Sequence, residues 1–322
     1  MARTKAAAAA AEQEILGGSL DAKDLDPKNP RKIRRARRRQ AMGRFWKQYR
    51  RSAMGMLGLV ILIFFIGMAL FAIFFANPAA TDPTLTKGPV LAPPSRAYPL
   101  GTDDTGISVL SLVIAGSKTS LLVGLAATVI SMTVGAFIGI VAGYRAGLTD
   151  VSLMRVTDMF LVIPWLALAI VLASIFGQSL FIIICIIGFT SWPGTARLVR
   201  AQVLSVKEHQ YVERGRGLGA SDWYVVTRHV LPNVMPVILA NTILTVAIAI
   251  LSESALSFLG LGDPFNITWG TIIEFAFEAG ATSIGAWWWL LAPSMCIVLV
   301  VLGFTLCGFA FDEIINPRLR ER

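Results

Sequence analysis

The feature that most constrains this chain is a series of long stretches without one charged side chain. Met54 to Ala76 is the first, Thr119 to Gly143 the second and Met159 to Ala196 the third. A helix rises 1.5 Å per residue, so about 20 apolar residues cross the roughly 30 Å hydrocarbon layer. As one helix, 159–196 would be roughly 57 Å long, so it must fold back, and Gly177-Gln178-Ser179 supplies the turn. That gives a third and a fourth span. Val230 to Ser252 is a fifth and Gly285 to Phe311 a sixth. With 55% apolar and 15% charged residues, an ordinary soluble domain is excluded. The fold class expected is all-α: a polytopic membrane protein with six transmembrane helices. The first run is 23 residues long and starts after residue 50, unlike the 7–15-residue core of a cleaved signal peptide, so it is read as retained.

Orientation follows from Lys and Arg, which short cytoplasmic connections keep. Residues 1–51, 144–158, 197–232 and the tail after Phe311 hold 26 of the 29. The 77–118 segment has only Lys87, Arg96 and Lys118, and 253–286 has none. Both termini are therefore placed in the cytoplasm. The net charge of +9 is concentrated in the N-terminal arm, where Arg31 to Arg39 precedes Phe45-Trp46-Lys47-Gln48-Tyr49-Arg50-Arg51. Basic residues interleaved with aromatics can bind nucleic acid. Directly before a span they fit anionic headgroups better, with the rings at the interface. Residues 1–30 have no periodic apolar face and are expected to be mobile.

Few residues invite catalytic chemistry. Cys185, Cys296 and Cys307 lie inside apolar runs and read as small buried hydrophobes. His209 and His229 lie in a basic loop without metal-site spacing. Gly116-Ser117-Lys118-Thr119 lacks the Gly-Lys-Ser/Thr of a phosphate loop. No triad, carboxylate dyad or metal constellation is found, so this chain is read as no enzyme and as holding no cofactor. Gly135, Gly139, Gly143 and Gly147 are expected to form a close-packing face on the second helix and its inner end. Pro164, Pro193 and Pro293 are expected to bend the third, fourth and sixth helices. Glu253, roughly 31 Å along the fifth helix from Pro232, is expected near the outer surface. With no charged pair at the centre of any span, an ion-driven transporter is disfavoured.

The loop between the fourth and fifth spans carries the strongest signal. Glu208 to Leu218 is a short helical candidate, and Gly219 permits a backbone reversal that other residues resist. Ser221 can cap the next helix, with Asp222 favourable in its first turn. That helix carries Trp223, Tyr224, Val225 and Val226, more apolar surface than a solvated loop needs, and Pro232 is expected to stop it and start the fifth span. A helix-glycine-helix bracket with an exposed apolar patch reads as a docking element.

Four stretches carry a family resemblance. They are Pro99-Leu100-Gly101-Thr102-Asp103-Asp104-Thr105-Gly106, Trp192-Pro193-Gly194 with Ala196-Arg197-Leu198-Val199-Arg200, Glu253-Ser254-Ala255-Leu256-Ser257-Phe258-Leu259-Gly260-Leu261-Gly262 with Trp269-Gly270, and the loop's Glu213, Gly219 and Leu231-Pro232. From about Phe45 to Arg318 the chain resembles the second membrane subunit of dipeptide and oligopeptide ATP-binding-cassette (ABC) importers. It departs from that pattern at Ile107-Ser108 and Ser111-Leu112, where the family usually has Arg-Asp and Ser-Arg, and at Glu213-Arg214-Gly215 and Gly217, where it usually has Glu-Ala-Ala and alanine.

The resemblance implies the type I ABC importer permease fold. Residues 1–30 are then an N-terminal arm, 31–53 a membrane-surface segment, 54–76 the first span and 77–118 an external segment. Residues 119–311 form a five-helix permease core with a coupling loop at 201–232, and 312–322 a cytoplasmic tail. It also implies that Tyr211, Glu213, Arg214, Gly219, Ala220, Ser221, Asp222 and Trp223 couple to an ATPase, with Glu213 pairing with a basic residue. Asn241, Thr242 and Thr245, neutral polar residues on the fifth helix, are candidates to border the translocation path. The implied partners are a related, nonidentical permease subunit, two ATPase domains that bind ATP and Mg, an external substrate-binding protein, a peptide and membrane lipids, with no nucleic acid. The implied location is a bacterial inner membrane. Nickel chelates, glutathione or another small solute stay open as cargo, and a non-transporting scaffold or receptor stays open as a different class.

Overall fold

The computed structural model describes residues 42–75, 78–82, 84, 85 and 88–315. The expectations for 1–30, 31–41 and 316–322 lie outside the described residues. Clustering divides the chain into Met1–Ser52 and Ala53–Arg322. Within the first unit, residues 42–49 are helical and the rings of Phe45 and Trp46 each stack on Tyr49, with centroids 6.1 and 6.0 Å apart.

The second unit is built from α1 (Ala53–Phe75), α2 (Val109–Arg145), α3 (Gly147–Val162), α4 (Trp165–Phe176), α5 (Leu180–Thr190) and α6 (Trp192–Lys207). There follow α7 (Gln210–Gly217), α8 (Asp222–Val225), α9 (Leu231–Leu256), α10 (Trp269–Glu278) and α11 (Trp287–Ile315). Five continuous stretches are long and apolar enough to cross a membrane: Ala53–Phe74, Val109–Arg145, Leu180–Lys207, Asp222–Leu261 and Trp287–Ile314. The pair α3 and α4, bent by 87°, makes a sixth. The bend sits at Pro164, which lacks an N–H and keeps Ile163 out of helical geometry at ψ 126°. Pro193 falls in the first turn of α6, where no donor is needed, and Pro293 lies within α11. Gly177, at φ 96°, and Ser179, whose hydroxyl accepts from Ile182 N–H, make the expected fold-back between α4 and α5.

Two boundaries differ from the sequence expectation. The helix that carries the second span starts at Val109, ten residues before Thr119, so 109–118, expected in the segment before the span, are helical. Lys118 ended the uncharged run, yet it sits exposed on the helix, so its charge need not interrupt the span. At the other boundary Pro232 does not stop the preceding helix. A π-helical turn, Val226–Val230, closed by Leu231 N–H on Val226 O, carries α8 into α9. The wider turn accommodates the donor that Pro232 lacks, and the Asn233 side-chain amide donates to His229 O at 2.6 Å.

Helix α2 is the axis of the unit, touching α1, α3, α5, α6, α9, α10 and α11. Its glycines let α6 approach. A Cβ on Gly135, Gly139 or Gly143 would lie 2.7 Å from Thr195 Cβ, 2.6 Å from Ala196 O and 2.9 Å from Val203 Cβ. Such proximity favours dispersion contacts between helices that share no hydrophobic drive to associate. Gly147 is not part of this face, because α2 ends at Arg145 and Gly147 opens α3 at φ 60° with open space around it. Between α3 and α6, Arg200 grips Asp150 with Nε to Oδ1 at 2.5 Å and a second bond at 2.6 Å, and Arg197 pairs with Asp158 at 2.5 Å.

The 88–108 segment is fixed to α11 and to itself. Thr102 Oγ1 donates to Pro89 O at 2.6 Å, and Trp288 Nε1 donates to Thr102 O at 3.1 Å. Asp103 is buried and accepts from the N–H groups of Thr105 and Ile107 and from the Thr105 hydroxyl. Burial still pushes its carboxyl above the usual range. Asp263 ties the loop after α9 to the start of α5 by accepting from Leu180 N–H, Phe265 N–H and the Asn266 amide. Its partial burial pulls upward, but these bonds outweigh it and leave the carboxyl below its usual range.

Candidate functional site

The bracket is a folded unit rather than a solvated loop. Helix α7 ends in a Schellman arrangement, with Gly219 N–H on Arg216 O at 2.9 Å and Ala220 N–H on Gly215 O at 3.1 Å. That pattern requires a left-handed residue at position 219, and Gly219 adopts φ 81°. Ser221 then caps α8, its hydroxyl accepting from Tyr224 N–H at 3.3 Å.

Each arm buries one apolar side chain against the ends of the spans. Val212 of α7 and Val225 of α8 are both 0% exposed, in a core with Val199, Val203 and Val206 of α6, Tyr144 of α2 and Val230, Val234 and Ile238. An aromatic series links the arms: His209 and Tyr211 with centroids 5.4 Å apart, Tyr211 and His229 at 6.0 Å, and Tyr224 and His229 at 5.9 Å. Sequence reasoning gave neither histidine such a place, since both looked like isolated loop residues.

The remaining large apolar side chains of the bracket face outward. Leu218 is 89% exposed, Trp223 77% and Tyr224 52%. Beside Trp223 lies an open groove of about 630 Å³ lined by Phe137, Ile140, Val141 and Tyr144 of α2 and by Val226 and Leu231. An exposed apolar cluster with a concave neighbour is what a docking surface offers.

The candidate coupling residues are thereby gathered on one element, but they divide in role. Gly219, Ala220 and Ser221 make the turn and cap. Glu213 and Arg214 are exposed on α7, and Tyr211 packs on His229. Among the described residues no ion pair within 4.0 Å involves Glu213. Arg216, three positions on and therefore on the same side of the helix, has its guanidinium over the Tyr144 ring instead.

Asp222 is drawn to Tyr144, whose hydroxyl donates to its Oδ1 at 2.8 Å, while the Arg216 guanidinium lies 4.7 Å from the centroid of the same ring. Tyr144 is the site residue that sequence reasoning missed. It lies 78 positions from Asp222 in the chain, and no local pattern joins the two.

Of the candidate path residues, Asn241 and Thr242 are half-buried and Thr245 is buried. Asn241 Nδ2 donates to Thr195 Oγ1 at 3.1 Å, Thr245 is buried with its hydroxyl on Asn241 O at 2.8 Å, and Thr242 donates to Ile238 O at 2.8 Å. Asn241 thus joins α9 to α6 within this subunit. Glu253 is also corrected. It is 1% exposed, so its place toward the outer end of the helix does not leave it in solvent, and it accepts from Ser257 Oγ at 2.8 Å and Ser254 Oγ at 3.4 Å. Length along the helix gave its height but not its covering. The covering comes from α10, where Gly270 packs on Ser254 and Trp269 N–H donates to Ser120 Oγ of α2.

Comparison with known proteins fits this geometry. Residues 135–321 match the model of the binding-protein-dependent transport system inner membrane component. Residues 41–94 match the N-terminal transmembrane domain of oligopeptide transport permease C. The chain is 34% identical over 278 residues to the dipeptide transport system permease protein DppC of Bacillus subtilis, covering 86% of this chain and 85% of that protein. It is 34% identical over 281 residues to the oligopeptide transport system permease protein OppC of the same organism, covering 86% and 90%. The fold is similar to that of a chain of the MetNI methionine ABC transporter in an inward-facing conformation, with TM-score 0.52 and 18% identity over 63% of this chain and 94% of that one. The chain, a multi-pass protein with the type I permease fold, belongs to the family of binding-protein-dependent transport system inner membrane components.

Proposed function

We propose that this chain is one of two related, nonidentical permease subunits of an ATP-driven importer, and that its cargo is di- or oligopeptides. The observation that carries the proposal is the bracket of α7 and α8, which displays Trp223 and Leu218 from a rigid, capped turn on a chain of this family. Its apolar surface suits a cleft on an ATPase subunit, with Glu213, exposed and in no ion pair among the described residues, supplying a charge to that contact. ATP and Mg belong to two ATPase domains, and this chain contributes no catalytic group.

Closure of the ATPase pair would move the bracket, and with it the spans, between inward-open and outward-open arrangements. An external binding protein would deliver the peptide and set most of the specificity. Peptide cargo is supported by the names of two similar relatives, the dipeptide permease DppC and the oligopeptide permease OppC. The bracket and both termini would lie on the cytoplasmic side of a bacterial inner membrane, a reading supported by the Lys and Arg of the connecting segments.

The test is recovery of the ATPase subunits with the affinity-purified permease pair. Trp223→Ala and Glu213→Ala should each reduce recovery while leaving the permease in the membrane. Full recovery with both variants would remove the bracket from the interface.

A further inference from the structure

We propose that Tyr144 is the positioning residue that transmits movement of the docking bracket to the membrane spans, an inference that rests on the importer reading above. Tyr144 occupies the last turn of α2 and is 6% exposed. Its ring lies under the Arg216 guanidinium, 4.7 Å from centroid to Cζ, and its hydroxyl donates to Asp222 Oδ1 at 2.8 Å. Arg216 belongs to the last turn of α7 and Asp222 opens α8, so one side chain holds both arms, one on each side of the Gly219 turn.

The chemistry of the clasp is matched at both ends. A cation sits on the negative face of the ring, and a carboxylate accepts the phenol proton, a charge-assisted bond stronger than a neutral one. It is a side-chain hydrogen bond that ties α8 directly to α2, 78 positions away in the chain. Val212 and Val225 pack the arms into the same core, but apolar contacts slide, whereas the hydrogen bond fixes direction.

The path onward is short. Trp223, next to Asp222, is the most exposed aromatic of the bracket and shares the groove with Phe137, Ile140, Val141 and Tyr144 of α2. A force on Trp223 therefore reaches Asp222, then Tyr144, and then α2, which touches seven of the other helices of its unit. A rigid helix in contact with nearly every span is suited to turn a local displacement into a collective one.

The experiment compares wild type, Tyr144→Phe, Asp222→Ala and the double variant in the complete complex reconstituted in vesicles. Peptide taken up and ATP hydrolysed are measured in the same preparation. Tyr144→Phe keeps the ring, its place in the core and the contact with Arg216, and removes only the hydroxyl. The expected result is equal recovery of ATPase subunits with a fall of about threefold or more in peptide imported per ATP. Asp222→Ala should lower the ratio similarly, and the double variant should be no worse than the more severe single variant.

A Tyr144→Phe ratio equal to wild type would overturn the role given to Tyr144, as would a multiplicative loss in the double variant. Loss of ATPase recovery in Tyr144→Phe would also overturn it, by making the residue a structural support of docking. Absence of ATP-driven uptake in wild type would instead overturn the importer reading itself.

Discussion

Replacing Gly219 by alanine isolates the energetics of the bracket turn, because the structure leaves only one cost to count. A Cβ at this position meets nothing within 4 Å, so no clash arises. What remains is the backbone: φ is 81°, a region where an L residue costs about 1–2 kcal/mol. Gly215, one turn earlier, provides the opposite case. It is helical, with only His229 near, at 3.8 Å, and alanine there should gain about 0.5–1 kcal/mol. Two substitutions with the same chemistry, four residues apart, should therefore differ in sign.

The first arm is a helix of eight residues, too short to persist without the turn, whereas α8 continues into α9. A loss of about 1–2 kcal/mol then lowers the ratio of formed to unformed bracket by a factor of about 5–30. The apparent affinity for an ATPase subunit falls with the formed fraction, hence by at most that factor, since only the formed bracket docks. The assay is titration of the solubilised permease pair with its ATPase subunit. Gly219→Ala should raise Kd, by at most about 30-fold, and Gly215→Ala should leave it unchanged or lower it. Equal effects of the two, or no effect of Gly219→Ala, would refute the reasoning.

Three further outcomes follow from the packing. Gly139→Val would drive a side chain into Ala196 O, 2.6 Å from the Cβ position, and overpacking costs about 1–3 kcal/mol or more. It should cut the yield of folded permease, while Gly194→Ala, in open space, should not. Asp263→Ala should raise hydrogen exchange at the Leu180 and Phe265 amides, whose acceptor it removes. Because the Asp263 carboxyl is held below its unfolded value near 3.8, its contribution is present above that pH and lost as pH falls through the lower folded value. Exchange at these amides, corrected for intrinsic rate, should therefore be flat from pH 7 to 5 and rise only in stronger acid. Asn241→Ala removes the bond to Thr195 between α9 and α6, so it should change the transport rate more than the ranking of peptides. A reordered ranking would place Asn241 against the cargo instead.

Where the sequence spoke through local chemistry, the structure agrees with it. The apolar runs marked the spans, Gly177-Gln178-Ser179 the fold-back, Gly219 the left-handed turn and Ser221 the cap, because each is decided by neighbouring residues and backbone sterics. The differences are tertiary. Lys118 looked like a boundary although a long cationic side chain can remain on an exposed helical face. Pro232 looked like a stop, but a π turn absorbs the missing donor. Glu253 looked superficial because its cover is α10, a separate element whose docking onto Ser254 and Ser120 no periodicity announces. The hydrogen bond from Asn241 to Thr195 of α6 likewise joins residues that no local pattern connects. Tyr144 gave no signal at all, since its meaning lies in partners far along the chain.

The central claim is that this chain couples ATP hydrolysis by partner subunits to entry of peptides delivered by a binding protein. The most direct measurement is uptake of a labelled dipeptide or oligopeptide into vesicles holding the complete complex, with ATP on the ATPase side and binding protein on the other. Uptake should require both ATP and peptide-loaded binding protein, and ATP hydrolysis should rise when the loaded binding protein is added. Hydrolysis indifferent to the binding protein, with no accumulation of peptide, would contradict the account.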